Sequence, residues 1–548
     1  MVQRGGNLEG TTADALGTNV KHGKESHAKS EGSSLQLGRI GDPRSMLLVA
    51  VLPTLLYLIY AGSFYLRSGY PLPAVHDEFS YLLAADTFAH FRLTNPTPPM
   101  WQHFESIHIN MIPTYGSMYP PAQGLFLAAG QLAFGHPWWG VVLSSALFIF
   151  AMGWASLAWL PRWWALSANV TALALVVGTY WTSSYWGGSV AAAGGALILG
   201  AIGRWRQAPS TTLAAIWASG CVILVLSRPY TGGVLILVSA IELLRIFLSR
   251  RNDKSALGAM LGSLLKGALP IAVFGIVFLL YYCFQTTGDP LRLPAIENAK
   301  QYQIRRLFYG TSDRPEPVYR HDQIRNVYHG LLRDDWTTAE RYSNIARFFI
   351  SHYFGPTLFG AGLIAAVFGW SAGNHRWVFV CAACGFAAIL MLLWINPHYY
   401  SPYAAFLVTS FQLSLRVIAS GPWAKSRALY ASLALLGGLF LIRICSRAAS
   451  QHTDPEWTMQ RTRLESSLAH QGSKHLVLVR YAPDHRFYDE WVYNPAEFST
   501  AKVLWARWWT PERNQELADA FKDRKIWIVD PDNSTVELQP YQHHQHVQ

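Results

Sequence analysis

Two adjacent carboxylates follow a histidine shortly after the first long apolar segment of the chain. They are Asp77 and Glu78, preceded by His76, and the apolar segment spans residues 46–66. A carboxylate at an open site can act as a general base that removes a proton from a hydroxyl group. A second carboxylate beside it tends to raise one of the two pKa values, which favours a base that works near neutral pH. This pair is the first candidate for catalytic residues.

A helix is predicted directly after this pair. From Glu78 to Phe91 the apolar residues recur mainly at three- and four-residue steps, the pattern of an amphipathic helix lying on a membrane surface. Asp77 would stand at the N-terminus of this helix, where the helix dipole favours a carboxylate. Capping of the exposed backbone N–H groups by Asp77 is therefore an alternative to a role in chemistry.

Aromatic and polar residues continue beyond this helix and recur beside later apolar segments. An aromatic face with hydrogen-bonding neighbours suits a sugar, although aromatic residues are also common at membrane interfaces. Glu105 and His108, with His103 nearby, are of types that bind a divalent ion, but their spacing matches no strong metal motif. The candidates for substrate contacts are His76, His103, Glu105, Tyr119, Arg228, His398 and Tyr399.

Arg228 is an isolated cation in the short link 227–229 between two apolar segments. A cation in such a place usually faces an internal partner or an anionic ligand, and a guanidinium suits a phosphate. The alternative is a side chain that extends to the membrane interface for solvation.

The elements that must position these residues are long apolar segments. The chain has 548 residues, of which 51% are hydrophobic and 14% charged, with a mean hydropathy of +0.15, an unusual combination for a water-soluble protein. The composition predicts an all-α polytopic membrane protein. About 11 transmembrane helices are predicted, at 46–66, 138–160, 163–181, 187–202, 210–227, 230–248, 267–284, 348–370, 377–394, 399–417 and 428–444.

Basic residues fix the predicted orientation of these spans. With a cytoplasmic N-terminus, most basic residues of the short loops fall on the cytoplasmic side, as the positive-inside rule requires. Counting segment 121–135 as a further span would turn those loops outward, so it is predicted as a second surface helix. Asp77, Arg228 and His398 then share the outer side. The net charge of +11 is explained by topology, and no nucleic-acid partner is predicted.

Composition divides the chain into three parts. Residues 1–45 form a polar tail that is predicted to be disordered and cytoplasmic. Residues 46–445 form the membrane domain, with large outer loops at 67–137 and 285–347. Residues 446–548 contain short apolar segments typical of buried strands, at 475–480, 502–505 and 525–530, together with helical spacing at 511–522. This last part is predicted to be a small α/β domain on the extracytoplasmic side.

The arrangement resembles the membrane-embedded glycosyltransferases of the GT-C superfamily, which include protein mannosyltransferases, aminoarabinose transferases of lipid A and oligosaccharyltransferases. The resemblance covers residues 46–445 as architecture, and it includes many spans and an outer C-terminal domain. Its short motifs are an outer loop that opens with Asp77 and Glu78, followed by Tyr81, and a surface helix that begins after Tyr119.

The resemblance implies a reaction. A sugar would pass, with inversion, from a polyprenyl-phosphate-linked donor to a hydroxyl of a lipid, glycan or protein acceptor on the extracytoplasmic face. The enzyme would be a multi-pass protein of a bacterial inner membrane, in contact with membrane lipid.

The same resemblance implies roles for residues. Asp77 matches the acidic residue that serves the superfamily as catalytic base or metal ligand. A divalent cation is therefore a candidate cofactor. Glu78 would assist Asp77 in either role. Some related transferases have a basic residue, which binds phosphate, where this chain has Tyr119. Arg228 is inferred to take that role here, from its charge and its predicted place on the outer side of the membrane. Tyr81, His398 and Tyr399 would contact donor or acceptor.

Two other classes of protein fit parts of the sequence. A transporter of an envelope component would also need many spans, but few ionisable residues fall in the middle of the predicted ones. A membrane scaffold or sensor, whose C-terminal domain binds a partner, would leave Asp77 replaceable.

Overall fold

The computed structural model describes residues 42–330, 338–349, 352, 375–420, 438, 442, 445–446, 449–450 and 452–542. All of them belong to one compact unit, Leu37–Gln548. The predicted spans 348–370 and 428–444 and nearly all of the predicted tail 1–45 lie outside the described residues.

Helices make up most of the described chain. In order they are α1 (Pro43–Ser68), α2 (His76–Ala89), α3 (Pro121–Phe134), α4 (Trp138–Ser156), α5 (Arg162–Val177), α6 (Ser189–Trp205), α7 (Thr211–Val225), α8 (Pro229–Ser249), α9 (Lys254–Thr287), α10 (Pro294–Tyr302), α11 (Asp322–Gly330), α12 (Thr338–Phe349), α13 (Arg376–Leu390), α14 (Pro397–Ser420), α15 (Glu456–Ala469) and α16 (Pro511–Ala520).

Five of these helices are long and apolar enough to cross a membrane: α1, α4, α8, α9 and α14. Shorter apolar helices, α5, α6, α7 and α13, occupy the positions of four other predicted spans. A mostly helical architecture with several candidate membrane spans is therefore confirmed for the described part of the chain, whereas the count of eleven spans is not. One boundary was wrong, because α9 begins at Lys254 and not near residue 267; the side chain of Asp253 accepts a hydrogen bond from Ala256 N at 2.9 Å and caps the helix.

Small residues bring α6 into close contact with its neighbours. Nearly every side chain of α6 is buried. A Cβ atom at Gly195 would lie 1.8 Å from the carbonyl oxygen of Pro402, so only glycine permits this approach of α6 to the start of α14. The contact fixes the short 3₁₀ turn, Pro397–Tyr403, that carries His398 and Tyr399.

The first outer loop folds around two helices and a short hairpin. Strands β1 (Ile109–Asn110) and β2 (Gly116–Ser117) pair antiparallel. Helix α2 packs on α3, where Gly124 lies against Ala84 and Phe88. The predicted helix is confirmed, but the expectation that only one face of it is covered was wrong, because most of its side chains are buried within the protein.

The C-terminal region contains a four-stranded sheet in the order β4-β3-β5-β6. Strands β3 (Lys474–Val479), β4 (Val503–Arg507) and β5 (Arg524–Val529) are parallel, and β6 (Leu538–Pro540) is antiparallel to β5. The first three strands and α16 lie where the sequence predicts strands and a helix. Parallel strands need a crossover connection, and the one between β4 and β5 contains α16, whereas residues 480–502 join β3 to β4 without a helix.

This region packs against the first outer loop. The ring of Phe79 on α2 stacks on Tyr493 at 3.8 Å between centroids, with an interplanar angle of 11°. The carboxylate of Asp86, also on α2, accepts a hydrogen bond from Ala496 N at 2.7 Å. Helix α2 is thereby held between the membrane helices and the C-terminal sheet.

Candidate active site

The carboxylate of Glu78 accepts hydrogen bonds from backbone N–H groups at the start of α2. Its Oε2 accepts hydrogen bonds from Ala74 N at 2.7 Å and Val75 N at 3.2 Å, and its Oε1 accepts one from Tyr185 N at 2.8 Å. The first two bonds are those of a capping residue at the third position of a helix. The alternative in which Asp77 caps the helix was therefore wrong.

The carboxylate of Glu78 is 4% exposed, and burial raises its pKa while the backbone hydrogen bonds oppose the rise. Both of its oxygens are occupied by backbone N–H groups. This geometry does not support the direct catalytic role expected for Glu78. Burial, and not the charge of the neighbouring Asp77, is the main influence on the pKa of Glu78. The side chain instead ties α2 to the link between α5 and α6.

Asp77 lies in the first turn of α2 with a side chain that is 21% exposed, and the solvent-accessible space beside its carboxylate is called the opening below. The hydroxyl of Tyr119 donates a hydrogen bond to its Oδ1. Its Oδ2 lies 4.0 Å from His108 Nε2, outside hydrogen-bond distance. One carboxylate oxygen is thus oriented by the protein, and the other faces the opening.

Tyr81 supports Tyr119 from the next turn of α2. The two rings stack at 4.3 Å between centroids with an interplanar angle of 17°. Burial and the charge of Asp77 raise the pKa of Tyr119 well above its ordinary value, so its hydroxyl stays protonated and can only donate to the carboxylate. The two predicted tyrosines therefore belong to the surroundings of Asp77.

Arg228 lies directly before α8, at its N-cap position. Its guanidinium lies over the ring of Tyr399 at 4.9 Å, a cation–π contact. It is also within electrostatic range of Asp77, Tyr81 and Tyr119. The structure thus brings the predicted cation into the same opening as the predicted base.

The side chain of His398 packs against Tyr399. Its Nδ1 lies 2.7 Å from the hydroxyl of Tyr180, and its ring contacts Trp186 and Tyr399 at 4.6 and 4.8 Å. The side chain is 1% exposed. His398 is therefore placed to orient Tyr399, and its own contact with a substrate is not supported by this burial. Tyr180 and Trp186, from the link between α5 and α6, were not among the candidates.

His103 and Glu105 are located elsewhere, in the contact between the outer loops and the C-terminal region. His103 Nδ1 donates to the carbonyl of Arg507 at 3.0 Å. The carboxylate of Glu105 is 1% exposed and accepts hydrogen bonds from Tyr302 at 2.9 Å and Arg320 at 3.0 Å. Both residues are buried and hydrogen-bonded within the protein, and the substrate contacts expected for them stay predictions.

His76 borders Asp77 on the side of the C-terminal region. Its Nε2 donates to the carbonyl of Phe487 at 2.9 Å, and its side chain is 5% exposed. Burial lowers the pKa of His76 to about 4, so the ring is neutral at neutral pH. The position of His76 is compatible with the substrate contact predicted for it.

His108 is the site residue that sequence reasoning considered only as a metal ligand. Its backbone has φ +62°, an unusual conformation for a non-glycine residue, and its carbonyl accepts hydrogen bonds from Ser80 Oγ at 2.6 Å and Met118 N at 3.2 Å. This turn directs the imidazole toward Asp77. No periodicity in the sequence signals such a turn.

The residues of the opening offer few ligands for a metal ion. Among the described residues, no group of three or more His, Cys, Asp or Glu side chains lies close enough to hold one. Asp77 and His108 provide two such side chains, fewer than the three or four that protein metal sites usually supply. The residues present do not by themselves fit a bound cation, and a cation requirement stays a prediction.

Comparisons with known proteins give structural neighbours only. No protein-family model and no curated protein sequence matches the chain. Among solved structures, the oligosaccharyltransferase of Archaeoglobus fulgidus tethered with an acceptor peptide is similar at TM-score 0.48 and 12% identity, covering 89% of this chain and 69% of that one. The complex of that enzyme with Zn and sulfate gives TM-score 0.45 and 12% identity, covering 88% and 67%.

ArnT from Cupriavidus metallidurans bound to undecaprenyl phosphate is similar at TM-score 0.44 and 13% identity, covering 88% of this chain and 92% of that one. These structural neighbours are GT-C glycosyltransferases, the superfamily that the sequence resembles. With identities this low and TM-scores below 0.5, the similarity does not assign an activity or a substrate to this chain.

Proposed function

We propose that the chain is a membrane glycosyltransferase that transfers a sugar from a polyprenyl-phosphate-linked donor to an acceptor hydroxyl on the extracytoplasmic face. The observation that carries the proposal is that the guanidinium of Arg228 lies within electrostatic range of the Asp77 carboxylate. A carboxylate oriented by Tyr119 suits proton removal, and a guanidinium beside apolar helices suits a lipid-linked phosphate.

Asp77 would act as the general base. The acceptor hydroxyl would bind at Oδ2, the oxygen that Tyr119 leaves free, and its proton would pass to that oxygen as the hydroxyl attacks the anomeric carbon. The bond between that carbon and the phosphate oxygen breaks at the same step, so the configuration inverts. Tyr119 would keep the carboxylate in the orientation needed for this transfer.

Arg228 would stabilise the leaving group. The departing polyprenyl phosphate keeps the electron pair of the broken bond, and its growing negative charge would lie next to the guanidinium. Tyr399 keeps that guanidinium in place through the contact at 4.9 Å. Glu78 would have a structural role, since its backbone hydrogen bonds stabilise the start of α2.

The test uses the full chain in lipid nanodiscs with a panel of polyprenyl-phosphate sugars and a membrane extract as acceptor source. The native chain should release polyprenyl phosphate, and Asp77→Asn should lower that rate at least 100-fold. Asp289→Asn, a change at a partly exposed carboxylate of the second outer loop, should retain the native rate. Equal release by the native and Asp77→Asn chains would remove Asp77 as the base, and no release from any donor would overturn the proposal.

A further inference from the structure

Polar groups without partners cluster on the side of Asp77 that faces the C-terminal region. His76 Nδ1, His108 Nδ1 and the hydroxyl of Tyr328 are buried and make no hydrogen bond of normal geometry. Tyr328 on α11 is 3% exposed and lies against the backbone of His108. Buried polar groups in proteins are nearly always paired, so three such groups around one carboxylate point to a ligand that pairs them.

The tautomer of His76 determines whether the ligand must donate or accept a hydrogen bond at Nδ1. Because the carbonyl of Phe487 can only accept a hydrogen bond, Nε2 of His76 carries the hydrogen and donates it. The unpartnered Nδ1 of the neutral ring is then an acceptor, whereas the hydroxyl of Tyr328 can donate or accept. Burial also lowers the pKa of His108, so both histidines present neutral groups. Neutral donors and acceptors in close proximity suit hydroxyl groups.

An exposed aromatic ring stands beside these groups. Tyr488, in the segment 486–489 between β3 and β4, is 51% exposed, and its ring lies 6.3 Å from that of His76 with an interplanar angle of 27°. The adjacent Phe487 holds the segment in place through its carbonyl bond to His76 and its packing against Tyr328. Tyr488 therefore presents a ring to solvent from an anchored backbone.

We propose that Tyr488, His76, His108 and Tyr328 form the acceptor subsite and that the acceptor is a saccharide. A sugar ring offers an apolar C–H face, which suits the exposed ring of Tyr488, and hydroxyl groups, which suit the three unpartnered polar atoms. The guanidinium of Arg228 lies over Tyr399, whereas His108 Nε2 lies 4.0 Å from Asp77 Oδ2, so the charged donor phosphate and the neutral acceptor would contact different residues near Asp77. The inference rests on the proposed function, whose substrate class it specifies.

Binding is measured first, because it does not depend on turnover. The full chain in nanodiscs is titrated with methyl glycosides of glucose, galactose, mannose and arabinose, and binding is followed by saturation-transfer NMR. At least one glycoside should bind the native chain, and Tyr488→Ala should weaken it about 5- to 10-fold. Tyr488→Trp should retain binding, since it keeps an aromatic face. Phe91→Ala, at another exposed aromatic residue of the outer side, should bind as the native chain does.

Kinetics then separate the two proposals. The KM for a saccharide acceptor should rise about 5- to 10-fold in Tyr488→Ala, with a smaller change in kcat. Release of polyprenyl phosphate by the native chain, with a native acceptor KM and native glycoside binding in Tyr488→Ala, would overturn the subsite alone. Glycoside binding through Tyr488 without release from any donor would overturn the reaction and leave the subsite standing. Failure of every glycoside to bind, or binding of serine-containing peptides in their place, would also overturn the subsite.

Discussion

The hydroxyl of Tyr119 donates a hydrogen bond to Asp77 Oδ1, although 42 positions of the chain separate the two residues. Asp77 lies in the first turn of α2, and Tyr119 lies just before α3. The two helices approach closely at Gly124, where a Cβ atom would lie 2.7 Å from the Cβ of Ala84. The orientation of the proposed base is therefore a consequence of the packing between these helices.

Removal of the Tyr119 hydroxyl should impair turnover more than folding. We expect Tyr119→Phe to lower kcat for donor consumption about 10- to 100-fold, because Asp77 loses the donor that orients it. The KM for the donor should change little. Steady-state kinetics in nanodiscs measure both quantities, and Tyr281→Phe, at an exposed tyrosine of α9, is the matched control. A native kcat in Tyr119→Phe would show that this hydrogen bond does not contribute to catalysis.

Parts of this site were predictable from the sequence. Apolar periodicity located α2, and the charge pattern predicted a shared side of the membrane for Asp77 and Arg228, which lie within electrostatic range of each other in the structure. Short apolar segments also predicted β3, β4 and β5, and helical spacing predicted α16, whereas β6 was not predicted. These features depend on local patterns, and local patterns are what a single sequence displays.

The tertiary partners were not predictable in this way. Adjacent positions in the chain made Asp77 and Glu78 seem equivalent, yet successive residues of a helix point in different directions, so one faces the opening and the other faces Tyr185. Glu105 seemed suited to a substrate until its partners, Tyr302 and Arg320, proved to lie about 200 positions away. Such pairings depend on how the loops pack.

A second prediction concerns Glu78, whose substitution should lower the stability of the protein but leave its kcat nearly unchanged. Glu78→Gln keeps only one acceptor oxygen and places an amide NH₂ group next to backbone N–H groups, so we expect a loss of about 2–4 kcal/mol in the free energy of unfolding. The kcat of the fraction that remains folded should stay within about threefold of the native value, since Glu78 does not touch substrate.

Thermal denaturation followed by tryptophan fluorescence measures the first effect, and kinetics at a temperature below the transition measure the second. Glu456→Gln, at an exposed glutamate of α15, should change neither quantity. A large fall in kcat with unchanged stability would return Glu78 to the catalytic role first expected from the sequence.

Arg228 should determine affinity for the leaving group. We expect Arg228→Ala to weaken binding of undecaprenyl phosphate about 10- to 100-fold, because a charge-assisted contact to the phosphate is lost. The affinity of Arg228→Lys for undecaprenyl phosphate should lie between those of the native and Arg228→Ala chains, since lysine keeps the charge but lacks the planar group that lies over Tyr399. Binding is measured by quenching of tryptophan fluorescence, with Arg292→Ala of the second outer loop as control. Equal affinities for the native and Arg228→Ala chains would place the phosphate elsewhere.

Buried neutral histidines predict that the outer part of the protein loses stability in acid. Burial lowers the pKa of His76 from 6.5 to about 4 and that of His321 to about 3. Below pH 6.5 the unfolded chain binds more protons at these positions than the folded chain, so their contribution is complete above pH 6.5 and is lost as the pH falls toward 4. The slope should be about 1.4 kcal/mol per pH unit for each histidine in this range.

Thermal denaturation at intervals between pH 7.5 and 4.5 measures that slope. His76→Gln and His321→Gln should each make the loss of stability with acid less steep, because a residue that binds no proton replaces one that does. His90→Gln removes an exposed histidine at the end of α2 and should leave the slope as it is in the native chain. If all three variants kept the native slope, the acid sensitivity would have to come from groups other than the two buried histidines, and the neutral state that the acceptor subsite requires of His76 would lose its support.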